Sequence, residues 1–451
     1  LAFLKSLNRE QKEAVGLLQV GTFLEYFDFM LYVHMAVVLD EIFFPQTDPH
    51  TTSLLTAFAF CSTWVFRPFG ALLFGWIGDN IGRKTTVIMT TAMMAVSCMI
   101  MANLPTYAQI GVSAAWIVTV CRIVQGLSSM GEKVGAEIYI SEITSPPASY
   151  AAVSFIGAAA AVGAVAAVGV AVLTTHFGFN WRVAFWIGAG IAVVGSVART
   201  RLRETPEFVD MRRKFKLLIE KYEKTNSKKE KEIRKTVSDL RMKKIPRATL
   251  LGYFLSQCGW PISFYLGYIY FNATLKTVYC YTSEDIIIHN FVLTIMQVLQ
   301  AFIWAFVSFR VHPLKILRIK GTVFLPLILL IPVCLFYKVG FLSILLLQSL
   351  ILFFNIGMNP AEYVFIKQLP VYKRFTASGL IYALGRASTY IVTSFGVVYL
   401  TSWFGAFGTL ILTLPLCLGF FWSLNHFEKL EGLRPDKSSN PDLGVEYGKA
   451  A

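Results

Sequence analysis

Gly75-Trp-Ile-Gly-Asp-Asn-Ile-Gly-Arg-Lys84 is the stretch on which the reading of this chain turns. An apolar run over 54–77, interrupted only by Arg67-Pro68, leads into it, and a second over 85–102 leads away. Each run is long enough to cross a hydrocarbon core about 30 Å thick. Glycines, one acid and two bases between two such runs predict a tight polar turn at a membrane surface.

The whole chain has the composition that this turn requires. Of 451 residues, 55% are hydrophobic and 15% charged, with a mean hydropathy of +0.57; a soluble domain carries about 25% charged residues. Twelve apolar spans can be marked, at about 15–39, 54–77, 86–103, 110–132, 150–174, 183–200, 248–272, 286–309, 321–338, 341–363, 376–400 and 403–424. They predict an all-α integral membrane protein with twelve transmembrane helices in two six-helix bundles. The first span contains Glu25 and Asp28, unlike the core of a cleavable signal peptide.

Charge gives the organisation and the orientation. Of the 41 Lys and Arg residues, 18 lie between Arg199 and Arg247. Connections carrying bases belong on the cytoplasmic side, which puts both termini inside. The interval 40–48 is acidic and 103–109 has no charge, as outside connections should be. The expected division is a first bundle over 1–202, a basic linker over 203–247, a second bundle over 248–424 and a tail over 425–451. Part of the linker, 215–244, is rich in Lys and Glu and reads as either a surface helix or a solvated tether. The net charge of +14 is explained by orientation, so no nucleic-acid partner is expected. The cysteines have no metal-ligand spacing. No phosphate-binding Gly-Lys-Ser/Thr loop and no hydrolase nucleophile motif occurs, so neither an ATP-driven pump nor an enzyme is expected.

Ionisable residues inside spans are costly and therefore informative. In span 1, Gly21, Glu25, Asp28 and Tyr32 share a helix face, and either acid can hold an exchangeable proton or pair with Arg67 or Arg122. In span 4, Arg122, Gln125, Ser129 and Glu132 form a second stripe. Arg122 and Glu132 stand about 15 Å apart along a helix, so each needs a partner elsewhere. Lys133 and Glu137 read as residues at the inner boundary. The second half offers Gln257-Cys-Gly-Trp-Pro261 followed by Phe264, Tyr265 and Tyr268, a helix interruption that suits either a binding site or a kink. It also offers Gln297 and Gln300 on span 8, Asn355, Asn359 and Glu362 on span 10, and Arg386 on span 11. Arg386 can receive a solute carboxylate or pair with Glu362.

Six stretches then occur in order: 22–29 (Thr-Phe-Leu-Glu-Tyr-Phe-Asp-Phe), Arg67-Pro-Phe-Gly70, the opening stretch, Arg122-Ile-Val-Gln-Gly126 with Gly131-Glu132, Asn180-Trp-Arg182 and 203–208 (Arg-Glu-Thr-Pro-Glu-Phe). Together they resemble the metabolite:proton symporter family of the major facilitator superfamily, densely over 20–210 and thinly afterwards, where Arg374-Phe-Thr-Ala-Ser-Gly379 is the clearest echo. The resemblance implies alternating access and solute import driven by a proton gradient, without a cofactor, by a monomer in the bacterial inner membrane. It places Gly75, Asp79, Gly82 and Arg83 in a cytoplasmic gate, Asp28, Glu25 and Glu132 in proton coupling, and Arg122 in the substrate path. Tyr26, Trp260, Tyr265, Gln297 and Arg386 complete the candidate solute site. Intramembrane aromatics, Trp64, Trp116, Tyr268 and Trp304 among them, favour a zwitterion such as proline or glycine betaine through cation–π attraction. A dicarboxylate held by Arg122 and Arg386 is the alternative, and a non-transporting receptor on the same fold is the alternative of a different class. Asn80 stands where the family usually has Arg, and the gate motif's expected counterpart at 309–320 lacks its Gly and Asp.

Overall fold

A computed structural model describes residues 5–43, 66–176, 180–223 and 245–433, and their regular structure is entirely helical. The first bundle holds α1 (Arg9–Phe43), α2 (Arg67–Asn80), α3 (Arg83–Asn103), α4 (Val112–Ile143), α5 (Ala148–His176) and α6 (Trp181–Arg199). After the connecting helix α7 (Pro206–Glu223), the second holds α8 (247–277), α9 (Ser283–Val307), α10 (Pro313–Phe336), α11 (Phe341–Phe353) with its continuation α12 (Glu362–Lys367), α13 (Arg374–Phe404) and α14 (Gly408–Leu430). With α11–α12 taken as one crossing, the described residues form twelve crossings in two bundles of six. Eight of the helices are individually long and apolar enough to span a bilayer.

Helix starts follow local chemistry. The Asn180 side chain accepts from the N–H of Arg182 at 3.0 Å and caps α6. Thr282 and Asp285 form a reciprocal capping box at α9. His312 caps α10 just ahead of Pro313, whose missing N–H is harmless there.

Four boundaries differ from the sequence expectation, and each difference moves a charge. α4 does not stop at 132: a π-helical turn, Met130–Val134, carries it on to Ile143. Lys133 and Glu137 are therefore buried in the bundle instead of lying at its rim. α10 begins at Pro313, well before 321, so Lys315, Arg318 and Lys320 belong to the helix and not to the preceding connection. Span 10 is broken: α11 ends at Phe353 and helix resumes only at Glu362. Asn355 takes the backbone's place there, donating to Leu352 O at 2.6 Å and accepting from Gly357 N at 3.0 Å, and Pro360 cannot donate at all. α14 runs to Leu430, beyond the expected end at 424. The acidic 44–48 part of the first connection, Trp64, linker residues 224–244 and tail residues 434–451 lie outside the described residues.

The opening stretch is also less of a loop than expected. Gly75 and Asp79 belong to α2, and the turn shrinks to Ile81-Gly82 before α3 begins. Gly82 has φ +154°, and a Cβ there would meet the Glu204 carboxylate at 2.1 Å. Within bundles, α1 packs on α5, α3 on α6 and α8 on α14; between bundles, α2 packs on α13 and α5 on α9. The α2–α13 seam is closed by glycine, since a Cβ on Gly75 would stand 2.7 Å from Thr376 Cα.

Candidate functional site

At the basic end of the bundles the two halves are held by a charge network. Asp79 accepts from the backbone N–H groups of Phe375 and Thr376, at 3.0 and 2.9 Å, and from the Thr376 hydroxyl at 2.8 Å. A carboxylate at the first N–H groups of α13 is stabilised by hydrogen bonding and the helix dipole together. Arg83 donates to both Glu142 carboxylate oxygens, to Gly78 O and, across the seam, to Val371 O at 2.6 Å. Arg374 from the second half reaches Glu142 at 2.9 Å and Glu207 on α7 at 2.7 Å, and Lys367 also pairs with Glu207. Burial would push the Glu207 carboxyl up, but the hydrogen bonds from Arg374 and Lys367 outweigh it and hold the group below its ordinary value. Phe208 on the same helix lies 4.7 Å from the Arg83 guanidinium of the first half, so the connecting helix is held to both halves. Asn80 only returns a bond to Trp76 O, and Arg318, near the counterpart position, pairs with Glu428 of its own half. Among the described residues the network across the seam has no mirror image at the counterpart position.

Deeper in, nearly every buried charge has a partner. Arg122 meets Asp28 at 3.2 Å, donates to Gln125 at 2.8 Å and lies over the Tyr32 ring at 4.2 Å. Glu25 meets Arg67 at 3.6 Å, and Lys133 meets Glu137 at 3.2 Å. Glu132 is held by Arg199 at 2.6 Å and by the hydroxyls of Thr90 and Thr91 at 3.1 and 2.6 Å. Such pairs offset a desolvation penalty of several kcal/mol per ion. Among the described buried residues three charges have no ion pair: Glu362, Arg386 and Lys320.

Two of these three sit together at the centre. The Arg386 guanidinium lies 4.5 Å from the Trp260 ring and 4.4 Å from the Tyr382 ring, while its Nε and Nη1 find no hydrogen-bond partner. The Glu362 carboxylate accepts only long bonds, 3.4 Å to each oxygen, from the Gln257 amide. Arg386, Lys133 and Glu137 are the charges within electrostatic reach of Glu362. Beside them lies a cavity walled by Glu25, Tyr26, Phe29, Met30, Arg67, Trp260, Phe264 and Tyr390. Its free volume is about 10 Å³, room for about one water, so a solute must part the walls to enter.

Of the candidate residues, the structure brings Glu25, Tyr26, Trp260 and Arg386 to this centre. Asp28 and Arg122 form a pair within the first half, behind the wall. Glu132 lies with Arg199, a partner whose place at the end of α6 reads from sequence as one more linker base. Tyr265 does not line the cavity: Trp260, Phe264 and Tyr268 form the inward ladder, with ring centroids 5.0 and 5.1 Å apart, and Tyr265 is turned about 100° from Phe264. Gln297 stays half-buried on α9 and is not a wall residue. Trp116 is exposed on the outer face, where it meets lipid instead of solute.

A twelve-crossing fold with paired buried charges around a central cavity, closed at one end by ion pairs, defines a multi-pass membrane transporter. The chain belongs to the sugar (and other) transporter family of the major facilitator superfamily, whose profile it matches over residues 17–424. Members of that family carry solutes and are not enzymes. The chain is 31% identical over 208 residues to a proline/betaine transporter of Salmonella typhimurium, covering 44% of this chain and 41% of that one. It is 31% identical over 280 residues to an inner membrane metabolite transport protein of Escherichia coli, covering 60% and 59%. An ectoine/proline transporter of Corynebacterium glutamicum is 32% identical over 218 residues, covering 45% and 42%. The matches thus span about half the length of these relatives. Among solved structures, the proton:xylose symporter XylE with a bound bromodeoxyglucose superposes with a TM-score of 0.73 at 13% identity, covering 93% of this chain and 95% of that one.

Proposed function

We propose that the protein imports a small zwitterionic solute, such as proline or glycine betaine, together with a proton across a bacterial cytoplasmic membrane, by alternating access with the basic end inside. One observation carries the reading: after the buried charges pair off, two remain, one of each sign, Arg386 against the Trp260 wall of the aromatic cavity and Glu362 within electrostatic reach of Arg386. A solute carboxylate satisfies the unpartnered N–H groups of Arg386. Its cationic nitrogen is drawn to Glu362 and to the faces of Trp260, Phe264 and Tyr26. The names of the proline/betaine and ectoine/proline relatives support the same class. A dicarboxylate needs a second free base, and the charge of Arg122, whose Nε and Nη2 also lack hydrogen-bond partners, is already matched by Asp28 at 3.2 Å.

The proton belongs on Asp28 in this reading. Protonation of Asp28 dissolves its pair with Arg122, which ties α1 to α4, and so links proton uptake to helix rearrangement. The test is uptake of labelled proline, glycine betaine and α-ketoglutarate into proteoliposomes under an imposed pH gradient. Accumulation of a zwitterion and not of the dicarboxylate is expected. Asp28→Asn should abolish accumulation yet retain exchange of solute between the two sides. Gradient-driven accumulation by that variant removes Asp28 from the mechanism, and no accumulation of any of the three by the wild type removes the reading.

A further inference from the structure

The third unpaired charge is Lys320. Its side chain is fully buried in α10 and donates to one acceptor, the backbone oxygen of Asn359, at 2.9 Å. That oxygen belongs to the unwound interval between α11 and α12, where the chain does not satisfy its own carbonyls as a helix does. Among the described residues no carboxylate compensates the lysine. On the neighbouring α14 the one carboxylate, Glu428, is engaged with Arg318, and His426 with Thr249. α11 carries no ionisable side chain, and on α12 Lys367 binds Glu207 while Glu362 accepts from Gln257.

The far side of the same interval touches the other half of the molecule. The Asn359 amide donates to Ser154 O at 3.3 Å, and the Ser154 hydroxyl reaches Pro360 O at 3.3 Å. The Asn359 amide nitrogen would stand 2.3 Å from a Cβ on Gly157, so a side chain there would push the Asn359 amide out of this contact. Two residues after Pro360 comes Glu362. The unwound interval therefore carries an inter-half contact and leads directly into the helix that begins with the central carboxylate, and Lys320 holds it through the Asn359 carbonyl.

We propose that Lys320 is a positioning residue that fixes the unwound 354–361 interval, setting both where Glu362 stands and how firmly α5 and the 359–360 backbone close the basic end. The part about Glu362 rests on the solute site proposed above; the part about closure does not. A hydrogen bond from a charged donor supports affinity changes of about tenfold when it is removed.

The experiment uses the full-length protein in proteoliposomes and two variants of similar volume. Lys320→Met removes the donor; Lys320→Gln keeps an N–H without the charge. Lys320→Met is expected to raise the KM for the accumulated zwitterion about tenfold with kcat within about twofold, and Lys320→Gln to recover part of that loss. In solute-free protein, spin labels on the exposed positions Lys12 and Lys315, one in each half at the basic end, should move apart in Lys320→Met and less in Lys320→Gln. If Lys320→Met does not assemble, the same two readouts on Lys320→Gln decide. Wild-type KM and wild-type label distances in the variant that assembles overturn the proposal, as does loss of kcat at unchanged KM. Should the wild type accumulate no zwitterion, the solute reading fails by itself, and the label distances still judge Lys320.

Discussion

Arg386 is the residue on which solute recognition should depend most. Its unpartnered N–H groups and its two aromatic neighbours give it a planar, charged recognition surface that lysine cannot copy. Arg386→Gln is expected to weaken solute binding by about 2–4 kcal/mol, read by titration calorimetry, and Arg386→Lys should not restore it. Glu132 should behave differently. With Arg199, Thr90 and Thr91 around it, Glu132→Gln leaves a buried arginine unpaired and should lower stability by about 3–5 kcal/mol, visible as a fall in Tm of the detergent-solubilised protein. At this scale the sequence was informative about which residues matter: charges inside apolar runs stood out as Asp28, Arg122 and Arg386 did. It was silent on who pairs with whom. Arg199 lies 67 positions from Glu132 in the chain, and no local spacing links them.

Among the elements, the interruptions carry the chemistry. The π turn in α4 lengthens the helix past Glu132, and periodicity alone could not separate a helix that ends from one that bulges and continues. That is why Lys133 and Glu137 read as boundary residues. The break in span 10 had clearer signs in Asn355, Gly357, Asn359 and Pro360, yet the run was apolar enough to pass as one helix. The α2–α13 seam is the element most exposed to a single change. Gly75→Val would press its side chain into the backbone of α13, since Thr376 Cα stands only 2.7 Å from the added carbon. The variant should favour the form open at the basic end, speeding alkylation of a cysteine placed at Ser141 about tenfold in a background without native cysteines. Unchanged labelling would mean that the seam is not the closing contact.

For the whole molecule, closure at the basic end depends on carboxylates that remain ionised. The Glu207 carboxyl lies below its free value of 4.5, so its pairs contribute fully above about that pH and are lost as pH falls through the lower bound value. The share of closure that Glu207 carries should stay constant from neutral pH down to about 5 and weaken below about 4.5, read as label distances across the basic end in wild type against Glu207→Gln. The twelve crossings were legible in composition and hydropathy because a bilayer imposes length and apolarity on each one. The centre was legible only in part, because it is assembled from residues far apart in the chain whose packing no local pattern encodes.

The pairing-off of buried charges also has an electrical consequence. Arg386 and Glu362 sum to zero and so does a zwitterion, so in the symport proposed above the companion proton would be the one uncompensated positive charge to cross. Such a carrier is electrogenic: an interior-negative potential should drive uptake by about 2.3 kcal/mol per 100 mV even without a pH difference. A monocarboxylate with one proton would cross as a neutral pair and ignore the potential. Uptake measured under a potassium diffusion potential clamped with valinomycin therefore reports the charge class of the cargo before its identity is known.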